Sequence, residues 1–277
     1  HFSDAKWHAG LPREALRIYR DPGLRDLASE IGAVTFLVRC HIKASKCAID
    51  LGSADLALEE LYAAEDVLNA RASESRLDAY RGYAQLYAGE VAVLRGDHDK
   101  GIEYMKAAQA WFEEMSPPRT AAALDAKVSL AQVALEAGEY RTAFAIITKL
   151  LEESTQAECW DARSRLLFLQ SYLFVSDDPP LRTAFDDLVL RTHLINNPAL
   201  MLKTLSNLLI HAVEYLGDDD QAFLRKRIGN LQQFLEQDCF DSLYRTYVTE
   251  RYAPALERRL EKMSQSGPDP ADGELEP

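Results

Sequence analysis

Two short acidic turns are where this sequence comes nearest to metal chemistry. Asp97-His98-Asp99 sets an imidazole between two carboxylates, and Asp218-Asp219-Asp220 sets three carboxylates in a row. A bound calcium ion needs spaced oxygen ligands and a bidentate glutamate further on, and neither turn supplies them. Carboxylates that cap a helix start and complement its dipole are the plainer reading of both. The six histidines (1, 8, 41, 98, 193 and 211) fall one to a segment, with no His-Glu-x-x-His and no Gly-x-Ser-x-Gly in the chain. Cys40, Cys47, Cys159 and Cys239 form no Cys-x-x-Cys. Cys40 and Cys47 stand seven apart on a predicted helix, about 10 Å along its axis, too far for a disulfide. These residues predict a non-enzymatic chain with no metal and no cofactor. Its thiols fit a cytoplasmic or other reducing compartment.

The elements that would have to position any chemistry come next. The 277 residues carry 31 Lys and Arg against 44 Asp and Glu, a net charge of −13. Such a charge repels phosphate backbones and anionic lipid, so neither nucleic acid nor membrane is an expected partner. No run of about 18 apolar residues is present, so no membrane span is expected. The chain opens His-Phe-Ser-Asp without a methionine or a signal pattern, which reads as a piece of a longer protein.

A repeat organises the rest. Gly10, Gly52, Gly96, Gly138 and Gly217 lie 42, 44, 42 and 79 residues apart, and each follows one amphipathic stretch and precedes another. Five residues after each glycine comes a small residue: Ala15, Ala57, Gly101, Ala143 and Ala222. Twelve after come Ala64, Ala108 and Gly229 in three of the copies. A missing copy is expected to turn near Ser176-Asp-Asp-Pro-Pro180, with Ala184 as its small residue. Helix–turn–helix accounts for the pattern, because glycine tolerates the left-handed helix end and small residues let paired helices approach. Apolar positions recur at three and four rather than two, so no strand is expected.

The spacing predicts a helix at 12–20 and a long one from Leu24 to Leu51. Helices at 54–71, 75–95, 98–115, 119–137, 140–153 and 157–175 follow, then 181–194, 198–216 and 220–236. A closing helix runs from after Asp241 to about Met263, with Pro254 expected to kink or split it. Residues 265–277 hold three prolines and four acids and read as a disordered tail.

The segments Leu51-Gly-Ser-Ala-Asp-Leu-Ala, Arg95-Gly-Asp-His-Asp-Lys-Gly and Ala137-Gly-Glu-Tyr-Arg-Thr-Ala are variants of one theme. With Ala88-Gly89 followed by Gly96, Gly101 and Ala108, they resemble the tetratricopeptide repeat, at a period some eight residues longer than usual. The resemblance covers roughly residues 5–236. It implies an all-α, right-handed α-solenoid of about five stacked hairpins, the first one truncated, over residues 1–236. A capping helix at 237–264 and the tail complete the chain.

In that family, ligands meet residues ten, six and three before the turn glycine. The resemblance therefore implies a partner groove lined by Ile42, Lys46 and Ile49, then Leu86, Glu90 and Val93, then Val128, Gln132 and Leu135. A fifth set is Leu167, Ser171 and Phe174. Lys203, Asn207, His211 and Glu214 make a candidate polar site at the C-terminal end, which a solvent-facing cap explains equally well. The family's basic clamp for acidic tails is missing, since Lys46 is the one base in the three middle sets. The apolar members form a stripe able to receive a partner helix. Two other readings of the stripe stand beside that one: burial in the chain's own packing, or cover by its last helix.

The expected function is a non-catalytic protein–protein interaction scaffold that binds a partner peptide or helix in the concave groove. The alternative is a ligand- or peptide-sensing domain of a larger signalling or transcription regulator. Tyr244, Tyr247 and Tyr252 on the last helix also offer a surface for homo-oligomers.

Overall fold

The computed structural model describes residues 6–7, 11–175, 182–235 and 237–265. The Gly10 turn, the Ser176–Pro180 turn and the 266–277 tail lie outside them, as do the side chains of Cys239 and Met263. Among the described residues the chain is all helix and loop, with no strand.

Helix α1 (Pro12–Tyr19) and α2 (Pro22–Glu30) lead into a series of 17-residue helices. These are α3 (Val34–Asp50), α4 (Ala54–Ala70), α5 (Asp78–Leu94), α6 (His98–Glu114), α7 (Thr120–Glu136) and α8 (Tyr140–Gln156). Each is about 26 Å long. Then come α9 (Trp160–Tyr172), α10 (Arg182–Arg191), α11 (Pro198–Tyr215) and α12 (Asp218–Asn230). α13 (Gln237–Tyr244) and α14 (Glu250–Gln265) close the described chain.

The turns show why the helices stop where they do. Gly52, Gly96 and Gly138 all take positive φ, and in each the next residue's N–H reaches back to a carbonyl five residues earlier. That is the Schellman closure, which uses up orphan carbonyls of the helix end. Two departures from the expected map share this cause, and a third does not. Gly32, at φ 67, closes the same way and divides the expected long helix into α2 and α3. Glu158 holds the left-handed position before α9 without being glycine, at φ 53. Gly217 is instead the extended N-cap residue of α12, at φ −86. At the other end, Pro254 sits inside an unbroken α14. A π-turn at Arg245–Thr249 joins it to α13 and takes up the irregularity that the proline was expected to cause.

Each helix packs on its neighbours in the chain: α3 on α4, α5 on α6, α7 on α8, α11 on α12. Alternate helices also meet in chain order, α1 on α3, α3 on α5, α5 on α7, α7 on α9 and α9 on α11. α14 extends this line by packing on α11. The small residues do what their spacing predicts in the first hairpins, since Ala15, Ala57, Ala64, Ala108 and Ala143 are fully buried. Gly101 is the tightest case, because a Cβ there would collide with Val93 and press on the Gly89 carbonyl. At the far end the rule lapses: Ala222 is exposed and nothing lies near Gly229.

Candidate functional site

The alternate helices carry a line of polar side chains through an otherwise apolar stack. On α3, the Lys46 ammonium lies 3.2 Å from Asp50 and 2.7 Å from the Glu90 carboxylate of α5. The other Glu90 oxygen accepts a 2.6 Å hydrogen bond from Ser129 of α7. Arg165 of α9 closes the line, donating to the Ser129 hydroxyl at 3.2 Å and standing 3.5 Å from Asp125 and 3.7 Å from Glu90. Four helices are thus joined through groups of alternating sign. The line lies at an edge of the core, with Asp50 and Asp125 about a third exposed and Lys46 and Glu90 about a tenth.

Electrostatics fixes the charge states. Burial would push Lys46 down, but Asp50 and Glu90 outweigh it and hold its pKa above the ordinary lysine value. Burial would push Glu90 up, but Lys46, Arg165 and the Ser129 hydrogen bond hold it below the ordinary carboxylate range. For Asp125 burial wins over Arg165 and Lys46, and its pKa is raised. Lys46 and Glu90 both remain ionised near neutral pH, so neither is poised to trade a proton there. The line is a charge-matched brace that also offers hydrogen-bonding groups along its open edge.

Of the three readings of the apolar stripe, most of its members follow burial in the chain's own packing. Ile42, Leu86, Val128 and Leu135 are buried in the core, as are Leu167 and Phe174. Ile49 and Val93 are half-buried, and Gln132 is exposed. The physical reason is the direct contact of successive alternate helices, which closes the stripe on itself. Gln132 is the exposed member of the set, while Lys46 and Glu90 are buried with about a tenth of each side chain open at the edge of the core. Asp125, Ser129 and Arg165 were not read from the sequence. Asp125 and Ser129 on α7 share that helix with Lys127 and Glu136, and Arg165 on α9 follows Asp161 and Arg163, so no local signal singles them out.

The C-terminal set is brought together, and the chain's own final helix covers it. Asn207 donates to Ser171 at 2.8 Å and accepts from Arg251 at 2.7 Å. His211 donates through Nδ1 to the Phe174 carbonyl, and burial holds its pKa below the ordinary value. Glu214 is bonded to Arg258, and the Lys203 ammonium stands 5.0 Å from the Tyr247 ring centre. Lys203 with Tyr247, Asn207 with Arg251 and Glu214 with Arg258 are all 44 residues apart, so α11 runs in one register with the π-turn and the final helix.

Elsewhere the acidic turns act as helix starts. Asp97 accepts from the Lys100 N–H as N-cap of α6. Asp220 takes both guanidinium nitrogens of Arg182, at 2.7 and 2.8 Å, and lies below the ordinary aspartate range, first because of that bond. Among the described residues no group of three His, Cys, Asp or Glu side chains converges as metal ligands do. Near the N-terminus the buried Glu60 gathers Arg20, Arg25 and His41, each at 2.8 Å, and ties α1 through α4 together. A cleft of about 500 Å³ between α6, α7 and α8 contains Lys127, which is already shared between Glu113 and Glu153 at 3.3 and 3.2 Å. No helix among the described residues is long and apolar enough to cross a membrane.

In comparisons with known proteins, no family model and no curated protein matches this chain.

Proposed function

We propose that the chain is an interaction scaffold built as a right-handed α-solenoid of tetratricopeptide-like hairpins, binding a protein or peptide partner along its alternate helices. One observation carries this reading: α3, α5, α7, α9 and α11 meet in order, and a continuous polar line runs along four of them. A surface braced in this way is rigid, and it offers hydrogen-bonding and charged groups suited to an extended peptide. With the apolar positions closed, recognition is polar along this face. Homo-oligomers through the final helix belong to the same proposal, as does a cytoplasmic location.

A photo-crosslinking amino acid at Gln132, exposed on α7, tests the reading against the same probe at Arg141, exposed on α8. Specific adducts from position 132 and none from 141 are expected in native lysate. Adducts from 141 alone, or from neither position, would sink the proposal.

The alternative, ligand sensing, draws on a different observation. Where the final helix lies on α11, Lys203 and Arg251 share aromatic neighbours, and neither has a carboxylate in ion-pair range among the described residues.

A further inference from the structure

The most deeply buried charges of this protein are matched. Lys46 has Asp50 and Glu90, Arg165 has Glu90 and Asp125, Arg25 has Glu60, and Lys127 has Glu113 and Glu153. The half-buried Arg227 lacks a carboxylate but caps the end of α10 through the Val189 carbonyl. Lys43 and Arg163 are also half-buried with no carboxylate in ion-pair range among the described residues, and each lies over one tryptophan ring, Trp7 at 4.9 Å and Trp160 at 5.6 Å. Lys203 and Arg251 differ in facing the same aromatic group from two helices. Both are half-buried, and among the described residues neither has a carboxylate within ion-pair distance. The chain has 44 acidic residues to 31 basic ones, so this is no shortage of partners.

What surrounds the two cations is aromatic. The Lys203 ammonium lies between the Phe168 ring at 5.9 Å and the Tyr247 ring at 5.0 Å. Phe168 meets Tyr172 edge-on at 5.1 Å. Arg251, in the first turn of α14, follows Tyr247 of the π-turn by four residues and lies near the phenols of Tyr172 and Tyr247 and the like charge of Arg258. Its Nη1 donates to Asn207, whose own amide is anchored on Ser171. Nε and Nη2 have no acceptor among the described residues, so the guanidinium is aimed and only partly used. Burial, the first cause, lowers its pKa, and no carboxylate offsets it. Uncompensated cations cost stability unless something else answers them.

The geometry points to an oxyanion site here: Lys203 and Arg251 bind a phosphate or carboxylate group whose flat apolar body lies on Phe168, Tyr172 and Tyr247. Asn207 is a positioning residue that fixes the guanidinium plane. The fork of Arg251 suits two oxygens of one anion, and the ammonium adds a point charge. This site goes beyond the partner surface proposed above and does not depend on it. Because one of its two cations belongs to the final helix and the other to α11, an anion bound here also fastens that helix to the stack.

Isothermal titration of the full chain with phenyl phosphate, phenylacetate and inorganic phosphate tests the site. At least one aromatic anion is expected to bind with a Kd of about 1 mM or better, more tightly than inorganic phosphate. Preference for phenyl phosphate identifies a phosphate ester as the ligand class, and preference for phenylacetate identifies a carboxylate. Lys203→Met and Arg251→Gln should each weaken binding about tenfold or more, whereas Arg258→Gln, which removes a cation already held by Glu214, should not. Without ligand, Arg251→Gln is expected to leave Tm unchanged or to raise it, since it removes an unmatched buried charge. Absence of binding by the wild type, or binding that survives both substitutions, would overturn the site. Equal affinity for bare phosphate would overturn the role of the aromatic floor. A marked fall in Tm for Arg251→Gln with unchanged affinity would make the guanidinium structural and overturn the proposal.

Discussion

The α5–α6 hairpin and the α11–α12 hairpin carry the same repeat letters and use them differently. In the first, Gly101 and Ala108 sit where α6 presses on α5, and Gly82 faces the fully buried Phe112 ring. In the second, Ala222 and Gly229 hold the equivalent positions with open space around them. Charges divide in the same way. Around α5 each buried ion is answered, while along α11 Lys203 and Arg251 are not. A small residue or a charge at a repeat position therefore acquires its meaning from what packs against it, and the same letter can be a packing requirement in one copy and idle in the next.

The contrast is broken most severely by Glu90→Ala. Removing that carboxylate strands Lys46 and Arg165 in a largely buried setting, and the expected loss is about 3–5 kcal/mol in urea unfolding. The counterpart along α11, Arg258→Gln, removes a guanidinium that is half exposed and is expected to cost about 1 kcal/mol or less. Comparable losses at the two sites would end the distinction between a matched centre and a loosely held seam.

Glycine substitutions sharpen the same comparison with opposite signs. Gly82→Ala places a Cβ 2.5 Å from the Phe112 ring, which has no free space to move into, so a loss of about 1–3 kcal/mol is expected. Gly229→Ala meets nothing and fills a helical position, so a gain of about 0.5–1 kcal/mol is expected. Thermal melts of the two variants side by side decide it, and a stabilised Gly82→Ala would mean that α5 and α6 are not in the contact described.

Much of this was legible in advance, and the misses have specific causes. The glycine-based period located the helix ends because Gly52, Gly96 and Gly138 do sit in the left-handed turn that glycine favours. It overlooked Gly32, which falls outside the period, and Glu158, which fills the same conformation without the telltale residue. The apolar stripe was readable as apolar, but whether Leu86 and Val128 faced a partner or the next helix depends on how closely alternate helices approach. That distance is set by contacts some 40 residues apart in the chain, which no local pattern encodes. Lys46 and Glu90 were both named as surface candidates, yet their bond to each other spans 44 residues and emerges only in three dimensions.

The smallest expected effect is a pH dependence at the C-terminal side. Burial holds His211 below its ordinary pKa against the opposing hydrogen bond to Phe174, so the folded state binds fewer protons than the unfolded chain. Its contribution to stability is therefore complete above the unfolded pKa of about 6.5 and declines as pH falls through that value towards the folded one. Melts between about pH 7.5 and 5.5 should show Tm falling with acid, with a shallower slope in His211→Asn. An unchanged slope in that variant would place the acid sensitivity elsewhere.

The contact pattern has a mechanical consequence. Among the described residues, the strong helix–helix contacts join elements no more than three apart in the chain, so none of these pairings closes a long loop. Tension on the two ends would then be met by one interface after another rather than by the whole molecule at once. Extension should proceed in short, reversible steps, beginning where ions are unmatched and helices spaced loosely, and ending at the hairpin whose glycines leave no room between its helices.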